Sequence, residues 1–278
     1  MKKTIASAIF AVLIFSLSGL TSCKNKSVSR EQNNSALEQV NNLNVEIKKN
    51  VYPLPTSVDV IKMLSELGVG YISGISNPVE NVKKKLRRSE QATNLGVYGA
   101  DLSYATLFNA RREVAEYLGA TKMLSNELNM PEIYDESLHE KIKINVDTKD
   151  SLVTILTDVF NDTYTSLADN NQHALALLVV GGAWIEGMYL TTNVSEAAYN
   201  IPGISRVLLE QKKSFDLYLN ITKPHLSDPD LSEFVKLLDP MKKVYDGLST
   251  SLSQKNIIEI TQTIKAIRSQ IVEGFLNS

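Results

Sequence analysis

His173-Ala174-Leu175-Ala176-Leu177-Leu178-Val179-Val180-Gly181-Gly182-Ala183-Trp184-Ile185-Glu186-Gly187-Met188-Tyr189-Leu190 carries Glu186 as its only formal charge. Its apolar residues do not keep to one face, so a helix here is hydrophobic all round. Such a helix is either a membrane span or the centre of a bundle. A span needs about 20 apolar residues. This run is shorter and is interrupted by glycine, which predicts the bundle centre, with Gly181, Gly182, Ala183 and Gly187 admitting close neighbours.

The flanking segments supply those neighbours. Leu152, Ile155, Leu156, Val159, Phe160, Tyr164 and Leu167 form one stripe of a helix over 151–167. Asp135 caps a shorter helix that carries Leu138 and Ile142. Val97, Ala100, Tyr104, Leu107 or Phe108, Val114 and Leu118 recur at helical spacing, with Gly119 as the expected stop. A short helix from Thr121 then ends at Asn129-Met130-Pro131.

Asn77-Pro78-Val79-Glu80 is the sharpest start signal, with Asn77 as cap and Glu80 completing a capping box. It predicts a helix running through Lys83, Lys84, Lys85, Arg87 and Arg88 as a solvated basic face. Before it, Val60, Ile61, Leu64 and Leu67 share a helical face that ends at Gly68. Downstream, Ile201-Pro202-Gly203 breaks the chain before a helix with Leu208 and Phe215. Asp228-Pro229 starts another, which Pro240 kinks or divides. Ile257, Ile260, Ile264, Ile267 and Ile271 make a packing seam near the end. No stretch alternates at period two. The fold class is all-α: a compact bundle of about eight to ten helices around the central apolar one, with 51–278 as a single domain.

Residues 1–23 differ in kind. Lys2 and Lys3 precede an apolar run from Ile5 to Leu20, and the chain turns polar after Cys23. That order predicts a secretory leader. Leu20-Thr21-Ser22-Cys23 resembles the lipobox of bacterial lipoproteins. The resemblance implies removal of 1–22, acylation of Cys23 and attachment to a membrane through its lipid. An ordinary cleaved signal and an uncleaved anchor are the alternatives. Residues 23–50 then read as the acylated N-terminus and a flexible polar tether. No aspartate follows Cys23, which by likeness to enteric systems favours the outer membrane, facing the periplasm.

Cys23 is the sole cysteine, so stability must come from a core rather than from disulfides. Net charge is −2, and no basic stripe offers a nucleic-acid footprint. His139, His173 and His225 are scattered, and the paired Glu-x-x-His pattern of carboxylate-bridged metals is missing. No nucleophile elbow, P-loop, dinucleotide fingerprint or zinc-protease helix occurs. Neither a metal nor a cofactor is expected, and no catalytic residue is assigned.

Two acids keep apolar company. Asp101 lies three residues from both Tyr98 and Tyr104. Glu186 has Gly182, Ala183, Tyr189 and Leu190 as helical neighbours, with Trp184 nearby. A buried carboxylate must be paired, or its pKa rises. Tyr98, Asp101, Tyr104, Trp184, Glu186 and Tyr189 therefore form a candidate polar cluster. It is either a lock between helices, satisfied by tyrosine hydroxyls, Ser103 or Arg111, or the lining of a ligand pocket.

Asn94-Leu95-Gly96-Val97-Tyr98-Gly99-Ala100-Asp101-Leu102-Ser103-Tyr104-Ala105 and Gly181-Gly182-Ala183-Trp184-Ile185-Glu186-Gly187-Met188-Tyr189 resemble segments of an uncharacterised family of helical envelope lipoproteins from the Bacteroidetes. The resemblance runs from about residue 55 onward and implies lineage and location, with no activity to carry over. The leading expectation is a non-enzymatic lipoprotein that binds an envelope protein partner or acts as a scaffold. A small-molecule or lipid binder with a pocket near Asp101 and Glu186, and an enzyme of unknown class, are the alternatives.

Overall fold

The computed structural model describes residues 71–273 apart from 86, 198–203 and 250, all within one compact unit, 40–278. The leader, Cys23, the tether, the helix expected before Gly68 and the break at Ile201-Pro202-Gly203 lie outside the described residues. Those residues form nine α-helices: α1 (Arg88–Leu107), α2 (Arg111–Glu127), α3 (Glu136–Ile144), α4 (Lys149–Asp169), α5 (His173–Ala197), α6 (Ile204–Thr222), α7 (Pro229–Leu237), α8 (Asp239–Asp246) and α9 (Gln254–Glu273). Short 3-10 segments occupy Val79–Lys84 and Lys223–His225. No strand occurs among the described residues.

The central helix is α5, and α1, α9, α4, α7 and α6 all pack on it. It is longer than the sequence suggested. Its His173–Asn193 portion is 21 residues of mean hydropathy 1.5, long and apolar enough to cross a bilayer by length and composition. The expectation that it is too short to span is therefore wrong. Its burial within the bundle, 83% of the apolar window, accounts for the apolar character instead.

Glycine sets the tightest crossing. A Cβ on Gly96 of α1 would lie 2.7 Å from the Ala183 nitrogen and closer still to the Val179 carbonyl oxygen. One on Gly182 would collide with the Thr93 carbonyl. Two helix backbones thus touch directly, and α1 is buried along nearly its whole length. Three of its buried polar side chains turn back onto their own helix. Thr93 Oγ1 donates to the Ser89 carbonyl (2.8 Å), Asn94 Nδ2 to that of Glu90 (2.9 Å) and Ser103 Oγ to that of Gly99 (2.9 Å).

Several ends fall where side-chain chemistry places them. Asp135 accepts N–H bonds from Ser137 (2.9 Å) and Leu138 (3.2 Å), and Asp228 accepts from Leu231 (2.9 Å). Pro240 sits in the first turn of α8 and divides it from α7. All five seam isoleucines of α9 are buried.

Two expectations fail: the helix expected to run on to Gly119 ends at Leu107, and Thr121 starts no helix of its own but lies within α2. Asn109 adopts a left-handed conformation (φ 55°), which asparagine tolerates better than most residues, and the chain turns there. Gly119 is therefore no stop: it lies within α2, with open space where a Cβ would stand.

The segment after Pro78 also departs from the helix expected of it. Val79–Lys84 is a 3-10 helix without a side-chain cap, and Lys85 is extended (φ −93°, ψ 99°). The reason is Lys85 itself. It is buried, and its Nζ donates to the carbonyls of Val272 (2.7 Å) and Ile271 (3.3 Å) in the last described turn of α9. Helix ends leave such carbonyls without partners, and a cation there also suits the helix dipole. Burial lowers the pKa of this ammonium, with Glu90 opposing the shift. One lysine of the supposed solvated face is thus a buried tie.

Candidate functional site

Asp101 on α1 and Glu186 on α5 meet, both with no exposed surface. The cation that joins them is Arg268 of α9, a residue that sequence reasoning missed in favour of Arg111. Arg268 Nε lies 2.6 Å from Glu186 Oε2 and Nη2 lies 2.8 Å from Oε1. This is the two-pronged geometry that makes arginine–carboxylate pairs strong. The guanidinium also lies 4.0 Å from the ring centroid of Tyr189, in cation–π contact. Burial opposes the charge on Arg268, yet Glu186 and then Asp101 raise its pKa overall.

Asp101 is held differently. Its Oδ2 accepts the Asn77 N–H (3.1 Å). Its Oδ1 has no conventional donor among the described residues, while its side chain is hydrogen-bonded to Glu186. Two carboxyl groups can share a hydrogen bond only through a proton. Burial, and next the negative charge of Glu186, push the pKa of Asp101 well above the usual carboxylate range. Of the two acids Asp101 is thus the one driven toward its protonated form, while Arg268 grips the Glu186 carboxyl.

The remaining candidates divide. Tyr98 belongs to this region: its hydroxyl donates to the Pro78 carbonyl (2.9 Å), and burial, then Asp101, keep it protonated by raising its pKa. Tyr104 accepts the Ile72 N–H (3.1 Å) and packs against Tyr71 and Phe108. Trp184 does not join them. It stacks with Phe215 of α6 (4.9 Å between centroids) and faces Tyr245 of α8 (6.5 Å). Arg111 bonds Asn109 instead of either acid, and Ser103 bonds its own helix.

The acids and tyrosines thereby strap residues 71–78 across α1 and α9. Asn77 is tied to Asp101, Pro78 to Tyr98, Ile72 to Tyr104, and the Ile75 carbonyl to Arg268 (3.5 Å). Gly74 (φ 82°) makes the turn within this strap. Both carboxyl side chains of the pair are fully buried beneath it.

The histidines also need correction. His173 opens α5 and His225 follows α6, and their rings lie 5.2 Å apart. Burial, then His173, lowers the pKa of His225. His139 is half-buried, with Nδ1 3.6 Å from Glu136. Among the described residues, no three His, Cys, Asp or Glu side chains gather as a metal site.

Open surface lies on either side of α3. One cleft of about 150 Å³ separates α3 from the α1–α2 turn. A second of about 430 Å³ lies between α3 and α4, with Ile133, Leu138, Ile155 and Val159 beneath Glu132, Asp158, Asp162 and Asp169. Neither cleft is lined by Asp101, Glu186 or Arg268. No family model, curated protein or solved structure matches this chain.

Proposed function

We propose that the chain is a lipid-anchored envelope protein whose helical body binds a partner or acts as a scaffold, without catalysis. The observation that carries this reading is Leu20-Thr21-Ser22-Cys23 at the boundary between the apolar run and the polar chain. An acylated Cys23 becomes the mature N-terminus and holds the protein at the bilayer. Several acyl chains attach stably where one is marginal, since each buried methylene contributes about 0.8 kcal/mol. The likeness to helical envelope lipoproteins of the Bacteroidetes supports the same location, the periplasmic face of the outer membrane.

The body suits binding better than chemistry. Its paired acids are fully buried and Arg268 grips one of them, which makes them a lock, while the clefts beside α3 remain open to an incoming molecule. Fractionation of cells that express the wild-type chain and Cys23→Ser tests the anchor. The wild type is expected in membranes with an acylated Cys23 at its N-terminus by mass spectrometry, and the variant in the aqueous fraction with unchanged helical circular dichroism. An unmodified Cys23, or a retained Met1, refutes the reading. Crosslinking in intact envelopes should recover a stoichiometric companion.

A further inference from the structure

The larger cleft, on the flank of the bundle between α3 and α4, has the composition of a docking groove. Ile133, Leu138, Ile155 and Val159 give it an apolar floor. Leu138 is buried, whereas the other three are only half-buried and keep apolar surface open to the groove. Beside this floor stand Glu132, Asp158, Asp162 and Asp169, with Lys141 as the one cation in the lining. All four acids are exposed, and none of them makes an ion pair or a side-chain hydrogen bond among the described residues.

These charges do not serve α4. From Asp150 to Asp169 it carries four aspartates and no lysine, arginine or histidine. Asp158 and Asp162 stand one turn apart, where like charges destabilise a helix. Asp169 closes a last turn that holds no basic residue, at the end where the helix dipole favours a cation. Asp162 and Asp169 lie about 6 and 17 Å along the axis from Asp158 and share its face. A straight row of anions beside an apolar trough is complementary to an elongated cationic amphiphile. Isologous pairing with a second copy would instead set acid against acid. Anionic headgroups would be repelled in the same way.

We propose that this groove docks a basic amphipathic helix of a partner protein. Its apolar residues cover Ile133, Leu138, Ile155 and Val159, and lysines or arginines four and then seven positions apart meet Asp158, Asp162 and Asp169. This is the helix-in-groove mode, in which apolar anchors repeat at helical spacing. The proposal rests on the reading of the body as a partner-binding one and gives that reading its surface.

The probe is a fluorescein-labelled helical peptide of leucine, alanine and lysine with three lysines at those spacings. The full-length chain in non-ionic detergent is titrated into it, and anisotropy is read against micelles alone. Saturable binding is expected. Asp158→Asn/Asp162→Asn/Asp169→Asn should weaken it about tenfold, the product of roughly twofold for each solvent-screened ion pair. That variant should melt no lower than the wild type, because like charges leave α4. A peptide with glutamine for lysine should lose the same factor against the wild type and nothing more against the variant, as coupled partners do. Full affinity in the triple variant, or equal binding of a scrambled peptide of the same composition, overturns the proposal. Displacement by spermine as readily as by unlabelled peptide also overturns it, and marks a small-polyamine site. A companion crosslinked in intact envelopes at undiminished yield by the triple variant removes this groove while leaving partner binding in place. No companion from wild-type envelopes overturns both.

Discussion

Replacing Asp101 with asparagine should stabilise this protein at neutral pH. The amide has the shape of the protonated acid. Its oxygen can accept the Asn77 N–H, and its NH2 can donate to Glu186 as the carboxyl proton does. The magnitude follows from linkage. The pKa of Asp101 is raised in the fold, chiefly by burial, whereas an unfolded aspartate titrates near about 3.9. Between these two values the folded chain holds a proton that the unfolded chain has released. Stability therefore falls as pH rises, by about 1.4 kcal/mol per pH unit. The contribution is complete below about pH 4 and is lost progressively up to the raised value of Asp101, above which the slope vanishes. Because Asp101 is fully buried, solvent screening does not dilute it. Urea unfolding at successive pH values, followed by the fluorescence of Trp184, the only tryptophan, measures the difference between Asp101→Asn and the wild type. That difference should grow with the stated slope. A pH-independent loss of stability in the variant would refute the protonated Asp101, since it would mean that an ionised Asp101 is being stabilised by Arg268.

The same framework gives two further expectations. Arg268→Met keeps the stem but leaves Glu186 buried without a counter-charge, and breaking such a pair costs about 3–5 kcal/mol; a loss below about 1 kcal/mol in denaturant titration would show the pair to be solvated. Gly96→Ala gains about 1 kcal/mol of helix propensity but drives a methyl into the α5 backbone, so a net loss of about 1–3 kcal/mol is expected. Gly119→Ala, with open space around it, should instead raise the melting temperature. Equal behaviour of the two alanines would remove the argument for backbone contact at the crossing.

What the sequence revealed, and what it concealed, divides by range of interaction. Local chemistry was legible: the caps at Asp135 and Asp228, the break at Pro240 and the isoleucine seam of α9 all lie where short-range patterns place them. The apolar character of α5 identified the centre, though its length was underestimated. The candidate acids were found because a charge among apolar residues is visible along one helix. Arg268 was missed because its partner is 82 positions away. Its signal was present, a cation between Ile267 and Ile271 on the packing face, but a seam is read for its apolar members. Lys85 hid in the same way among lysines that are exposed. Trp184 was grouped with Glu186 by proximity in sequence, yet two steps along a helix point to different sides. Asn109 outcompeted Gly119 as the stop because a left-handed turn is a backbone event with only a weak residue preference.

The ties made by Lys85 and Arg268 bear on when this protein can assemble. The carbonyls that Lys85 needs lie 186 and 187 positions further along the chain, and the cation that Glu186 needs arrives 82 positions later. A chain delivered from its N-terminus first would thus expose an unanswered ammonium and carboxylate until its final helix emerges. Closing such long loops is slow. The nascent body should remain sensitive to proteases until residue 272 has left the ribosome or translocase, and then become resistant in a single late step.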